Sequence, residues 1–375
     1  MKDFFSHCAI SPLTPAGLQA AKYYLDDQAA HGMTNFMGYY LESQEAFKNT
    51  FGQLLKTSKE NLAAVKNTSE AISMIANGYR FSPGDEVISF VHEYPANHYP
   101  WRILERKGVQ LKLIPNTPFN HTATQDKVGF FTVDDVKKLI TAKTKIVALS
   151  HVQFTSGFAI DLAEIGALCQ SNNIDLIIDA AQSMGCLPIY PDEFGISAVA
   201  AAGWKWLMGP FGSGVFYTSP SLREKLDPVL IGAETMEQGF EYLNHEWTPH
   251  QSAKRFEYSS SSVALSAGLR ESVESVHFAQ PSIESIRDQV IHLQNHFLQH
   301  LENTQIVPIL HEDRHRSGIL ALSVADPKDL VQYLASNQII CTPRNGFVRV
   351  APFVHHTNQQ MEHLAEVINN YKGLA

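Results

Sequence analysis

The chain has 375 residues, with 44% hydrophobic and 18% charged residues, an ordinary globular composition with room for a large core and two domains. Lys and Arg number 29 against 38 Asp and Glu, so the net charge of −9 argues against a phosphate-backbone partner, which needs a basic face. No apolar run is long enough to span a bilayer, the first residues lack the stretch of a signal peptide, and four scattered cysteines fit reduced thiols, so the expectation is a cytoplasmic protein with no membrane or nucleic-acid partner.

In chain order, short apolar runs alternate with helical patterns. Strands are expected at residues 61–65, 86–91, 110–114, 145–152, 175–179, 198–202 and 214–218, and helices at 70–79, 97–107, 132–140 and 161–171. Several of the strand runs are continuously apolar, as in strands covered on both faces. The alternation predicts an α/β fold with a mainly parallel seven-stranded sheet, whose ligands sit beyond the carboxyl ends of the strands. A long connecting helix is expected at 263–279. A smaller α+β region follows: a helix at 282–301, a strand at 318–324, a helix from Pro327, strands at 338–341 and 347–350, and a last helix capped by Thr357. The expected division is an N-terminal segment (1–20), a large α/β domain (21–262), the connecting helix (263–281) and a small C-terminal domain (282–375).

Two residues at strand ends carry the chemistry. Asp179 closes the apolar run from Asp175, and Lys205 follows another run in Ala202-Gly203-Trp204-Lys205-Trp206. Burial lowers a lysine pKa, and a neutral lysine amine forms a Schiff base with an aldehyde. A lysine with a strand-end aspartate is the pair that pyridoxal phosphate needs, one for the aldehyde and one for the pyridinium nitrogen. Asn67-Thr68-Ser69-Glu70 opens a helix after a strand. It reads either as an anion site or as a plain helix cap. Tyr94, in Glu93-Tyr94-Pro95, is either an aromatic to stack on a flat ring or part of a structural turn. Gln153 and Gln182 are amides that can donate to a ring oxygen or stay at the surface. Arg349 suits bidentate carboxylate binding or a structural ion pair. His292, His296 and His300 share one helix face, but no acid or cysteine accompanies them at ligand spacing. They are expected to be a surface row, with no metal.

Taken together, Asp179-Ala180-Ala181-Gln182, Gly203-Trp204-Lys205 and Gly209-Pro210-Phe211-Gly212-Ser213-Gly214 resemble the class V aminotransferase group of fold type I pyridoxal-phosphate enzymes, with branches similar to isopenicillin N epimerase and cysteine desulfurase. The resemblance implies that Lys205 carries the internal aldimine and moves the substrate's Cα proton, and that Asp179 keeps the ring nitrogen protonated. Tyr94 stands where the family places an aromatic ring, often histidine. Thr68 and Ser69 hold the phosphate, Gln182 and Gln153 contact the cofactor, and Arg349 and His7 serve the substrate. Relatives carry Ser and His where this chain has Ala202 and Trp204. Relatives also carry a threonine that reaches a partner subunit's phosphate; here Arg255-Phe256-Glu257-Tyr258 is followed by Ser259 and Ser260, and Ser260 keeps a hydroxyl. That implies a homodimer with shared active sites.

The implied reaction acts on an amino acid. Transamination is the leading reading, with lyase or epimerase chemistry next. A cysteine desulfurase comes lower, because Cys341 is the one candidate thiol before Arg349 and sits in an apolar run. A silent binding protein with this architecture stands against the intact Lys205, Asp179, Gln182 and Arg349.

Overall fold

The computed structural model describes residues 3–118 and 130–373. Seven strands form the main sheet: β1 (Leu62–Val65), β2 (Glu86–Phe90), β3 (Gln110–Ile114), β4 (Thr144–Ser150), β5 (Asp175–Asp179), β6 (Ala198–Ala202) and β7 (Gly214–Thr218). Their order is β1-β7-β6-β5-β4-β2-β3. Only β7 runs against its neighbours, so the sheet is mainly parallel, as the alternation of elements predicts.

Both faces of the sheet are covered, and the period of two decides which residue goes where. Ile88, Val147, Leu149, Leu176, Ile178, Val199 and Val215 point to one apolar layer. Their neighbours Val87, Ile146, Ala148, Ile177, Ala198, Ala200 and Phe216 join the opposite layer with Ile72 and Ile75. Those two isoleucines lie on α3 (Thr68–Gly78).

Two long helices precede the sheet and escaped the strand-centred reading. The first, α1 (Pro15–His31), is capped by Thr14, whose hydroxyl accepts from the Gly17 N–H at 2.9 Å. It packs on the helix α6 (Val263–Val276). A Cβ on Gly17 would stand 2.7 Å from the carbonyl oxygen of Gly268, so the two backbones meet where neither residue has a side chain. The second, α2 (Phe36–Leu55), buries Tyr40, Phe47, Phe51 and Leu55 on one stripe. Shorter helices α4 (Val133–Leu139) and α5 (Leu162–Ser171) lie between the later strands. The helix expected at 97–107 is instead three short turns: Pro95–Asn97, Tyr99–Arg102 and Ile103–Lys107. The first break falls at His98, whose backbone is not helical (φ −120°, ψ −58°), and Pro100, which lacks an N–H to continue a preceding helix, sits in the first turn after it.

The C-terminal layer is an antiparallel sheet in the order β9 (Thr342–Arg344), β10 (Phe347–Val350), β8 (Leu320–Ser323) and Val307–Pro308. Helices α7 (Ile283–His300), α8 (Pro327–Ser336) and α9 (Asn358–Asn369) cover it. Leu293, Phe297, Leu330, Leu364 and Ile368 pack there on Leu320, Val348 and Val350. The chain start returns to this layer: Asp3–Phe4 pairs in parallel with Ile339–Ile340. It then runs to the main sheet, where the Ser11 N–H donates to the Trp204 carbonyl at 2.9 Å.

The turn after β4 touches the C-terminal layer through Gly157. Its φ is +74°, and a Cβ there would lie 2.2 Å from the Ile319 carbonyl oxygen. Gly157→Ala should therefore combine left-handed backbone strain with overpacking and cost about 2–4 kcal/mol. Chemical denaturation of the purified variant measures this. An unchanged midpoint would mean that the turn moves away from Ile319 freely.

Candidate functional site

The carboxyl ends of β4, β5 and β6 open on a cavity of about 470 Å³. Lys205, Asp179, Gln182, Thr68, Ser69, Tyr94 and Arg349 all line it, so one pocket gathers seven of the side chains singled out from the sequence.

Lys205 reaches the pocket through a tight turn after β6. The Gly203 N–H donates to the Ser213 carbonyl, and the Gly209 N–H donates back to the Gly203 carbonyl, both at 2.8 Å. A Cβ on Gly203 would collide with Ser213 and Leu269, so the turn has space only for glycine. Burial lowers the Lys205 pKa, with the Asp179 charge opposing that shift and Arg349 adding to it. Its ammonium nitrogen lies 5.7 Å from the centre of the Tyr94 ring. Tyr94 meets Phe154 edge-on at 5.2 Å.

Asp179 ends β5 and is buried. Burial pushes its carboxyl up, while the Ala181 N–H, donating at 2.9 Å, and Lys205 pull it down. Beside it lies an acid that the sequence reading did not single out. Glu93 is buried and accepts from the Ser150 N–H at 2.8 Å, from the Ser150 hydroxyl, and from the Gln153 amide at 3.3 Å. Burial pushes its carboxyl up to about 7; the Ser150 bonds oppose this and the Asp179 charge adds to it. The sequence held one signal for it, an acid directly before Tyr94 at a strand end.

Two sets of unpaired polar atoms mark where ligand groups belong. The Thr68 hydroxyl is buried without a partner at the start of α3. The first turn of a helix also leaves backbone N–H groups without partners inside the helix. Arg349 is 1% exposed; its Nη1 donates to the Phe154 carbonyl at 2.8 Å, while Nε and Nη2 have no partner. A buried donor without a partner is costly, so both places suit anions. Arg344, exposed on β9, lines the same pocket.

Gln182 stands on the wall with its amide already engaged: it donates to the Cys8 carbonyl at 2.9 Å and accepts from the Trp206 indole at 3.3 Å. Three of the expected residues, Gln153, His7 and Ser260, are not brought to the pocket. Gln153 is buried and turned to Glu93. His7 is buried between Trp206, Phe353, His355 and His356, with Nδ1 2.7 Å from the Ser11 hydroxyl. The bridge between Ser6 and Ala351 holds that segment against the C-terminal layer, which sends the imidazole into the aromatic cluster. Ser260 is exposed and lines a neighbouring cavity of about 600 Å³, which shares Asn67 with the first. Cys8 lines the first cavity as well, whereas Cys341 is buried outside its wall.

Pyridoxal phosphate can be set against this donor set. It needs an amine for its aldehyde, an acid for its ring nitrogen, an aromatic face and donors for its phosphate. The cavity offers Lys205, Asp179, Tyr94 and the unpaired Thr68 hydroxyl with Ser69, so the residues present fit the group.

Known proteins share this chain's sequence and fold. A probable cysteine desulfurase of Methanothermobacter thermautotrophicus is 23% identical over 350 residues, covering 88% of this chain and 84% of that protein. The fold matches two solved structures. One is a C-DES mutant with glycine covalently linked to its PLP cofactor (TM-score 0.87, 19% identity, 99% of this chain and 97% of that one). The other is the cystine C–S lyase C-DES in complex with its reaction product cysteine persulfide (TM-score 0.86, 20% identity, 99% and 98%). These likenesses establish the architecture as that of fold type I. The sequence model of the family described as Aminotransferase class-V matches residues 4–365, and the chain belongs to that family.

Proposed function

We propose that this chain is a lyase that cleaves the carbon–sulfur bond of a cysteine- or cystine-type amino acid. Its cofactor is pyridoxal phosphate. The observation that carries the reading is the single cavity that joins Lys205 and Asp179 to an Arg349 guanidinium with two unpaired nitrogens. Bound there, the cofactor supplies an electron sink for the pair left on Cα. Thr68 and Ser69 hold the phosphate, Tyr94 covers the ring, and Asp179 keeps a proton on the ring nitrogen. Arg349 orients the substrate carboxylate. Lys205, its pKa lowered by burial, would hold the aldehyde and, once the substrate's amino group has taken its place there, its freed amine would take the Cα proton.

The sequence reading put transamination first, and the names of the relatives weigh instead towards a lyase. They also bring back the desulfurase reading, which needs a thiol on the enzyme to accept sulfur. Cys341 and Cys8 are both buried, and burial pushes both thiols up, against the pull of Arg349 and Lys205 on Cys8. Neither is a ready thiolate. Sulfur therefore leaves on a small product.

A homodimer accompanies this reading. Val229, Leu230, Ile231, Phe240, Tyr242, Leu243 and Trp247 are exposed within one stretch, Leu243 at 94%. Exposed apolar surface of this extent marks an interaction site. The chain continues from it to Ser260, which would meet the partner's phosphate.

Three outcomes test these assignments. The holoenzyme given cystine or cysteine should form pyruvate without a keto-acid acceptor, and Lys205→Ala should lose the visible cofactor absorbance and at least about 10²-fold in rate; a keto acid formed only with an acceptor would mean transamination. Light scattering should give a dimer, and Leu243→Glu should shift it towards monomer; a monomeric wild type removes the shared-site reading. Glu93 gives a pH test. Its carboxyl is pushed up to about 7 in the fold from an ordinary 4.5. Between those values the folded chain holds a proton that the unfolded chain has lost, so stability falls as pH rises through this window. Glu93→Gln should gain on the wild type across it in denaturant titrations, and a flat difference would show that Glu93 is already charged in the fold.

A further inference from the structure

The histidine row on α7 acquires an acid by tertiary packing. Glu362 on α9 places Oε1 2.7 Å from His296 Nε2. This corrects the expectation that no acid accompanies the row. The ligand atoms of His296, His300 and Glu362 all lie within 4.8 Å of one another. His292, with its ring 6.3 Å from that of His296, stands outside the group.

The register of the two helices is set from below. Leu293 and Phe297 on α7 pack in one apolar core with Met361, Leu364 and Ala365 on α9. That core fixes the height of Glu362 against His296, so the three groups converge whether or not they bond to each other.

The donor atoms are also chemically suited. His300 Nδ1 lies 2.8 Å from the His296 carbonyl oxygen. A carbonyl only accepts, so Nδ1 carries the proton, and Nε2 of the neutral ring is left with its lone pair free. His296 Nε2 already faces a carboxylate oxygen. An ion bound at about 2.0–2.1 Å holds tetrahedral ligand atoms roughly 3.3 Å apart, inside the 4.8 Å that encloses these three. The exposed His300 ring has room to close the remaining distance.

We infer that His296, His300 and Glu362 form a binding site for one divalent transition ion of the zinc type. The two imidazoles and one carboxylate suit such a borderline ion better than a hard cation, with water completing the coordination. None of the three lines the Lys205 cavity. The ion ties α7 to α9 and plays no part in the chemistry there.

Chelator-treated, cofactor-loaded full-length protein is titrated with Zn²⁺ and with Co²⁺ by calorimetry. One saturable equivalent per chain is expected, with a higher thermal midpoint when loaded. His300→Ala and Glu362→Gln should each weaken Zn²⁺ binding at least about tenfold. His363→Ala, next to Glu362 but outside the cluster, should keep it. The substituted side chains, His300, Glu362 and His363, all reach solvent, so circular dichroism and the cofactor absorbance should stay unchanged in every variant. The inference fails if no saturable binding is seen, or if binding survives both His300→Ala and Glu362→Gln, which would locate the ion elsewhere.

Discussion

The site depends on one opposition of charges in a poorly solvated place: the Lys205 amine and the Asp179 carboxyl at adjacent strand ends. Burial drives both towards their neutral forms, and each holds the other partly charged. Neither residue has a strong protein partner of its own. Asp179 accepts a single backbone N–H, and Lys205 sits over an aromatic face rather than against an acid. A fold tolerates such a pair where a bound ligand completes it, because unpaired buried polar groups otherwise cost stability.

The rest of the fold serves to keep these two groups in place. Parallel β5 and β6 put their carboxyl ends side by side, with Asp179 opposite Ala200. The glycine-bound turn after β6 brings Lys205 back over that edge. From the other side, β10 supplies Arg349, and its bond to the Phe154 carbonyl links the C-terminal layer to the turn after β4. That turn is the one closed by Gly157 against Ile319. The N-terminal segment passes between the two layers and engages Gln182 through the Cys8 carbonyl. The pocket thus has walls from seven separated parts of the sequence.

What the sequence disclosed follows from how local each signal is. Apolar runs gave β5, β6, β7 and β10 at their observed limits, because strands buried on both faces leave no other pattern, and the alternating edge strand β3 was placed at its limits as well. The motifs around Asp179 and Lys205 are local turns, so their place at strand ends was legible too. Residues whose role depends on a distant element were not. His7 lies within a recognisable motif, yet its imidazole is claimed by Phe353, His355 and His356 from the far end of the chain. Gln153 is claimed by Glu93. Glu362 is 66 residues from His296 and meets it only because two helices pack on one core. Helix α1 carries little helical periodicity, since it rests on α6 through Gly17 and Ala21 rather than through large apolar side chains.

Charge bears on which ligands such a pocket suits in a chain whose net charge is −9. Lys205, Arg344 and Arg349 meet there, with Asp179 as the acid on the same wall and Glu93, its carboxyl pushed up by burial, behind it. The balance inside the cavity is therefore positive while the surface outside is negative. Field lines concentrate in a cleft with low-dielectric walls, which favours entry of a phosphate or a carboxylate over a cation. Arg349 shows the cost of building that field. Burial lowers its pKa, and Arg344 lowers it further, so the pair is held apart from its own preference until negative charge arrives. A phosphate by Thr68 and a carboxylate by Arg349 would bring that charge into the cavity that the Lys205 amine also lines.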